Sequence, residues 1–226
     1  MGGYLAKPDK EGPHPAVIVI HDINGITDYT KNVVQDLAKE GFVSMSVNLV
    51  SRSLGPDSPG GSEEVKEALK KITDADALAD LESGVDFLKK EPVVFTNSIG
   101  CLGFCMGGRF SLFLAAQRKD LKAAVAFYGP PINKEISAKY PKSAIDVIPE
   151  LSVPVLGNYG DADANIPVED VRRFEEKLRE YNKIYDIKIY PEAKHAFHKE
   201  GPNYNADAAK DGWERALNWF DKYLKT

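Results

Sequence analysis

Residues 99–108 read Ile-Gly-Cys-Leu-Gly-Phe-Cys-Met-Gly-Gly. The first six form a short apolar run of strand character, and residues 106–118 continue with the composition of a helix. Cys105 therefore falls on a strand-to-helix junction, with Gly103 two residues before it and Gly107 two residues after it. A nucleophile held in so sharp a turn needs neighbours without side chains at those two positions. The turn points its side chain out of the sheet at the N-terminus of the helix. There the helix dipole and free N–H groups favour thiolate, and the backbone N–H of Met106 is placed to donate to an oxyanion. The plain alternative is a buried structural cysteine, and it suits Cys101, inside the strand, better than Cys105.

On either side of this junction, short apolar runs alternate with amphipathic stretches. Residues 16–20 (AVIVI) are continuously apolar, as in a buried strand. Helical periodicity over 27–40 runs through Val33, Val34, Leu37 and Ala38 and stops at Gly41; 42–47 is the next strand. Residues 49–62, rich in Ser, Gly and Pro, read as a long loop of the kind that often carries function. Helices are predicted over 63–72, 74–89, 168–181 and 206–224, and strands over 123–128, 153–159 and 184–190. Strands separated by helices require crossover connections. The expected architecture is thus α/β, a three-layer αβα sandwich with a mostly parallel central sheet. No repeat, low-complexity segment or linker divides residues 1–226, so a single domain is expected. In such sheets ligands bind at the carboxyl ends of the strands.

Composition narrows the function classes. With 226 residues, 43% hydrophobic and 28% charged, the chain has ordinary globular composition. A net charge of -5 and no basic stripe argue against a nucleic-acid partner. No apolar run approaches the ~20 residues of a membrane span, and the opening MGGYLAKPDKEG lacks the apolar core of a signal peptide. The two cysteines sit four apart in one strand and turn, poor geometry for a disulfide and too few ligands for zinc. Such sparse usage suits a reducing, cytoplasmic location.

A nucleophile at this junction calls for an acid and then a histidine further along the chain. The strand over 153–159 leads into Gly160-Asp161-Ala162-Asp163-Ala164-Asn165-Ile166-Pro167, which offers two carboxylates. One of them is expected to serve only the turn. The strand over 184–190 leads into Pro191-Glu192-Ala193-Lys194-His195-Ala196-Phe197. His195 can accept the thiol proton there, and the acid can fix its tautomer. Of the other histidines, His14 precedes the first strand, His21 stands in the wrong chain order, and His198 makes an HxxH spacing with His195. No carboxylate or cysteine at matching spacing supports a zinc site there.

Together these residues resemble the dienelactone hydrolase family of α/β-hydrolases over nearly the whole chain. The resemblance rests on Ile20-His21-Asp22-Ile23-Asn24-Gly25, the glycine-flanked Cys105, the segments 160–167 and 191–197, and Trp213-Glu214-Arg215 near the end. The family typically starts with a further strand or two, so this chain is short at its N-terminus by comparison. The resemblance implies a Cys105–Asp163–His195 triad, with Asp163 preferred over Asp161 because the family's acid lies four residues before a proline. It implies an oxyanion hole from the N–H groups of Ile23 and Met106, and an auxiliary acid beside the thiol at Asp22, where the family usually has Glu. It also implies two cations for a substrate carboxylate: Arg52, able to form a two-pronged clamp, and Lys199, where arginine is usual. Val50 replaces a typical aromatic residue. The bland readings are an ordinary loop carboxylate for Asp22 and a solvated surface charge for Lys199.

The expected function is hydrolysis of a carboxylic ester or lactone, with a small, anionic, dienelactone-like substrate, through an acyl-enzyme. No cofactor and no metal are expected, and the partner is the small-molecule substrate alone, with a monomer or weak homodimer. Two alternatives stand beside it. One is a short-chain carboxylesterase indifferent to substrate charge; the other is a silent binding protein on the same fold.

Overall fold

The computed structural model describes residues 2–225. Along the chain it carries β1 (Gly3–Ala6), β2 (His14–Ile20), α1 (Asp28–Lys39), β3 (Val43–Val47), α2 (Ser51–Leu54), α3 (Glu63–Lys71) and α4 (Asp74–Lys90). Next come β4 (Val94–Phe104), α5 (Met106–Gln117), β5 (Ala123–Phe127), a 3-10 segment Ala144–Glu150, β6 (Val155–Gly160), α6 (Val168–Glu180), β7 (Tyr185–Tyr190) and α7 (Ala206–Leu224). The strands form one sheet in the order β1-β3-β2-β4-β5-β6-β7. Every pairing is parallel except that of β1 with β3.

The two-residue period of the strands sorts the core into two layers. Ala16, Ile18 and Ile20 of β2, with Ile99 and Cys101 of β4 and Ala124 of β5, face α3, α4 and α5 through Leu69, Leu81, Val85 and Phe110. Val17 and Val19, with Leu102, Phe104, Val125 and Phe127, face α1 and α7 through Val34, Leu37 and Phe220. Helix starts are fixed by side chains that accept otherwise orphaned N–H groups: Ser62 from Val65, Thr73 from Asp76 and Asn205 from Ala208. At α5 the cap position is Cys105 itself, with φ 54° and no side-chain cap.

Four features were not expected from periodicity. β1 is four residues long and pairs antiparallel on the edge strand β3. β4 begins at Val94, five residues before the apolar run, in a mostly exposed polar stretch. A one-turn helix, α2, interrupts the loop over 49–62, and the 3-10 segment follows β5.

One buried ion pair ties the α3–α5 layer together. Asp74, the first residue of α4, receives Nη1 and Nη2 of Arg109 of α5, each at 2.6 Å. Arg109 also donates to Asn133 Oδ1 (3.1 Å) and the Lys142 carbonyl (2.9 Å), and its guanidinium carbon lies 4.3 Å from the Phe113 ring centre. Removing one partner of such a pair strands a buried charge, at a cost of about 3–5 kcal/mol. Asp74→Ala should therefore lower the melting temperature by roughly 10 °C, and Asp74→Leu combined with Arg109→Met should recover most of that loss. A single variant that melts with the wild type would refute this role.

Candidate active site

The site is assembled at the carboxyl ends of five adjacent strands. Cys105 directly follows β4 with φ 54° and ψ -118°, a conformation unfavourable for any residue but glycine. A Cβ on Gly103 would overlap the carbonyl of Gly107, and one on Gly107 would overlap the carbonyl of Ile20. The two glycines thus let α5 start directly against β4 and β2. The Cys105 N–H donates to the Phe127 carbonyl (3.0 Å), which secures the turn to β5.

Three of the expected residues form one hydrogen-bonded chain. Sγ of Cys105 and Nε2 of His195 lie 3.1 Å apart, and Nδ1 of His195 donates to Oδ2 of Asp163 at 2.7 Å. Asp163 is buried, and its Oδ1 accepts the N–H groups of Asn165 (2.8 Å) and Ile166 (3.2 Å). Asp161 instead accepts the N–H of Glu192 and serves the turn. Burial alone would lower the His195 pKa. Hydrogen bonds to Asp163 and Cys105, and the charges of those groups, outweigh it and raise the pKa to about 10. An imidazole so placed holds a transferred proton at neutral pH. Cys101 is fully buried, its thiol donates to the Ser111 carbonyl (3.4 Å), and burial pushes its pKa upward, as for an inert core cysteine.

Ile23 and Met106 flank Cys105 on the wall of a cavity of about 570 Å³. Among the described residues neither backbone N–H has a backbone acceptor. Asp22 is buried beside this point, and both its oxygens are engaged: Oδ1 by the N–H and side-chain amide of Asn24 (2.7 and 2.9 Å), Oδ2 by Nζ of Lys199 (3.2 Å). It makes no hydrogen bond to Cys105. Lys199 lines a different cleft, of about 520 Å³, between α1 and α7. Arg52 does not line the cavity at Cys105 either. Its Nε and Nη2 are paired with Oδ1 of Asp80 at 2.8 and 2.6 Å.

Several residues around Cys105 and His195 escaped sequence reasoning. Tyr128, directly after β5, is fully buried with φ 40°, and its ring lies edge-on to His195 at 5.3 Å. The one available signal was its place at the carboxyl end of a strand beside the strand that leads to Cys105. The hydroxyl of Tyr29 and Nδ1 of His198 share a 2.7 Å hydrogen bond, and His198 nests among Phe104, Phe127 and Trp213. The HxxH spacing thus turns its two imidazoles to different partners. Among the described residues no group of three or more His, Cys, Asp or Glu side chains could hold a metal ion. His21 is structural: Nδ1 donates to the Asp22 carbonyl (2.8 Å), while Nε2 accepts the N–H of Leu49 (3.4 Å).

The sequence matches the dienelactone hydrolase family over residues 1–224. A Methylorubrum extorquens protein named "Putative carboxymethylenebutenolidase" is 38% identical over 222 residues, covering 97% of this chain and 76% of the relative. A Bradyrhizobium protein named "Probable 2-oxo-3-(5-oxofuran-2-ylidene)propanoate lactonase" is 34% identical, covering 98% of this chain and 89% of its own. The crystal structure of a "Putative Dienelactone Hydrolase" from Klebsiella pneumoniae superposes with a TM-score of 0.90 at 36% identity, over 98% of this chain and 92% of that one. No helix among the described residues is long and apolar enough to cross a membrane.

His198 gives the site a pH signature. Burial lowers its pKa from 6.5 to about 4, against a smaller opposing pull from Asp36. The unfolded chain takes up this proton near pH 6.5, the folded chain only near pH 4. Its contribution to stability is therefore complete above pH 6.5 and is lost as pH falls towards 4. Burial lowers the His21 pKa as well, which adds in the same direction. The melting temperature should fall across this window, and less steeply in His198→Asn. Parallel pH slopes for the two proteins would contradict this.

Proposed function

The chain belongs to the dienelactone hydrolase family, a family of ester and lactone hydrolases, and on that premise we propose that it cleaves carboxylic esters or lactones through a Cys105–His195–Asp163 triad. The observation that carries this is the unbroken chain from Sγ of Cys105 through His195 to a buried Asp163. The thiol gives its proton to Nε2 of His195, and Sγ adds to the ester carbonyl carbon. The oxyanion is held by the N–H groups of Ile23 and Met106. Collapse breaks the bond to the leaving oxygen, which takes the proton from His195, and leaves a thioester on Cys105. Water then gives a proton to His195 and adds to the thioester. The second collapse breaks the C–S bond, releases the acid and restores the thiol. Asp163 positions the imidazole and stabilises its charged form.

Apart from the substrate and water, every reacting group in this scheme comes from the chain, and the small-molecule substrate is its one partner. Two unpaired thiols suit the cytoplasmic location included in the proposal.

The carboxylate preference of a carboxymethylenebutenolidase would rest on Arg52 and Lys199. Each already carries a carboxylate partner, Asp80 and Asp22. These pairings favour the second reading, an esterase that does not require an anionic substrate.

Hydrolysis of p-nitrophenyl acetate tests the mechanism. Cys105→Ala should lower kcat/KM by at least about 10³-fold, and Asp163→Asn by roughly 10²- to 10⁴-fold through loss of the correct imidazole tautomer. Equal rates in wild type and Cys105→Ala would end the proposal.

A further inference from the structure

We propose that the cavity at Cys105 receives an uncharged, apolar acyl group larger than acetyl, and that Ile72 and Tyr140 limit its length; this rests on the ester-hydrolase reading above. The cavity, about 570 Å³, is within the size range of small-molecule sites. Cys105 and the two candidate oxyanion donors, Ile23 and Met106, lie on its wall, so an acyl carbon attacked by Sγ sits inside it.

Most of the rest of the wall is apolar, from Leu69, Ile72, Phe110 and Pro130, and comes from separate elements. Leu69 of α3 and Phe110 of α5 are fully buried and belong to the α3–α5 core layer, so they cannot retreat without disturbing that packing. Ile72, just after α3, and Tyr140, in the loop before the 3-10 segment, are half-buried and lie towards solvent.

Charge narrows the class further. Two cations reach this wall, Arg109 and Lys70, and both are already paired. Asp74, Asn133 and the Lys142 carbonyl occupy the Arg109 guanidinium. Nζ of Lys70 lies 2.6 Å from Glu67 on the exposed face of α3. No carboxylate lines the cavity. An anionic acyl tail would lose part of its hydration against this wall and find only Lys70, at the solvent edge and already beside Glu67, and an ammonium tail would meet no anion. An acetyl group would leave most of the space filled with water held against apolar walls. Each methylene that displaces such water raises the rate by about fourfold.

Initial rates on p-nitrophenyl acetate, butyrate, hexanoate and octanoate, and on mono-p-nitrophenyl glutarate, decide the question, each corrected for the Cys105→Ala background. The glutarate matches hexanoate in length but ends in a carboxylate. The expected result is a kcat/KM that climbs by about fourfold per methylene to hexanoate, with glutarate at least about tenfold below hexanoate. Ile72→Trp should lower the hexanoate-to-acetate ratio by about tenfold, and Tyr140→Ala, in a loop, should move the optimum to octanoate. Circular dichroism reports whether each variant is folded; if one is not, the wild-type series and the other variant still decide. Cys105-dependent hydrolysis with acetate as the best substrate, or with glutarate equal to hexanoate, overturns this inference and leaves the hydrolase reading intact. Absence of Cys105-dependent hydrolysis on every ester overturns both.

Discussion

The close approach of three backbones at Gly103, Gly107 and Ile20 is the constraint on which the site depends. Neither glycine can carry a side chain without driving it into a neighbouring carbonyl. Because they carry none, α5 begins immediately after β4, and Cys105 adopts a φ of 54° that few residues accept. The neighbours follow from sheet order. β2 pairs with β4 through Ile20 and Gly103, so the loop with Asp22 and Ile23 falls beside the thiol. β5 lies on the other side and brings Tyr128, and the ends of β6 and β7 bring Asp163 and His195. The strain at Cys105 persists because these contacts over-determine it.

Around this point the cations come with partners. Arg109 is matched by Asp74, Arg52 by Asp80 and Lys199 by Asp22. The Arg109 pair is structural, a fixed support behind the apolar cavity. The other two hold the residues that family resemblance marks for a substrate carboxylate. Along the Cys105–His195–Asp163 chain the pattern differs: the favourable partners of His195 are a buried carboxylate and the thiol itself. The cavity wall beside Cys105 offers mainly hydrocarbon.

Much of this was legible in the amino-acid sequence, for reasons that differ from element to element. The buried parallel strands announce themselves because both faces must be apolar, as in residues 16–20. β1 and the start of β4 stayed hidden because they are short or exposed, and pairing rather than hydrophobicity makes them strands. Chain order singled out Cys105 and His195, but it left Asp161 and Asp163 level. Family spacing preferred Asp163, and it is Asp163 that meets His195 in the structure, while Asp161 holds the Glu192 N–H. Arg109 was invisible because a lone cation in a helix reads as solvated surface, and its partner lies 35 residues upstream. The same reason hid the pairing of Arg52 with Asp80, 28 residues apart. Ion pairs between distant elements have no local signature, so the charge state of a pocket is the last property a sequence discloses.

The central claim is that Cys105 carries the acyl group between the two halves of hydrolysis. Rapid acid quench of the protein during turnover of a p-nitrophenyl ester, followed by peptide mass spectrometry, tests it most directly. The account predicts one acyl adduct per chain, on Cys105, with Cys101 unmodified. Sustained turnover with no adduct on Cys105, or with the acyl group on another side chain, would contradict it.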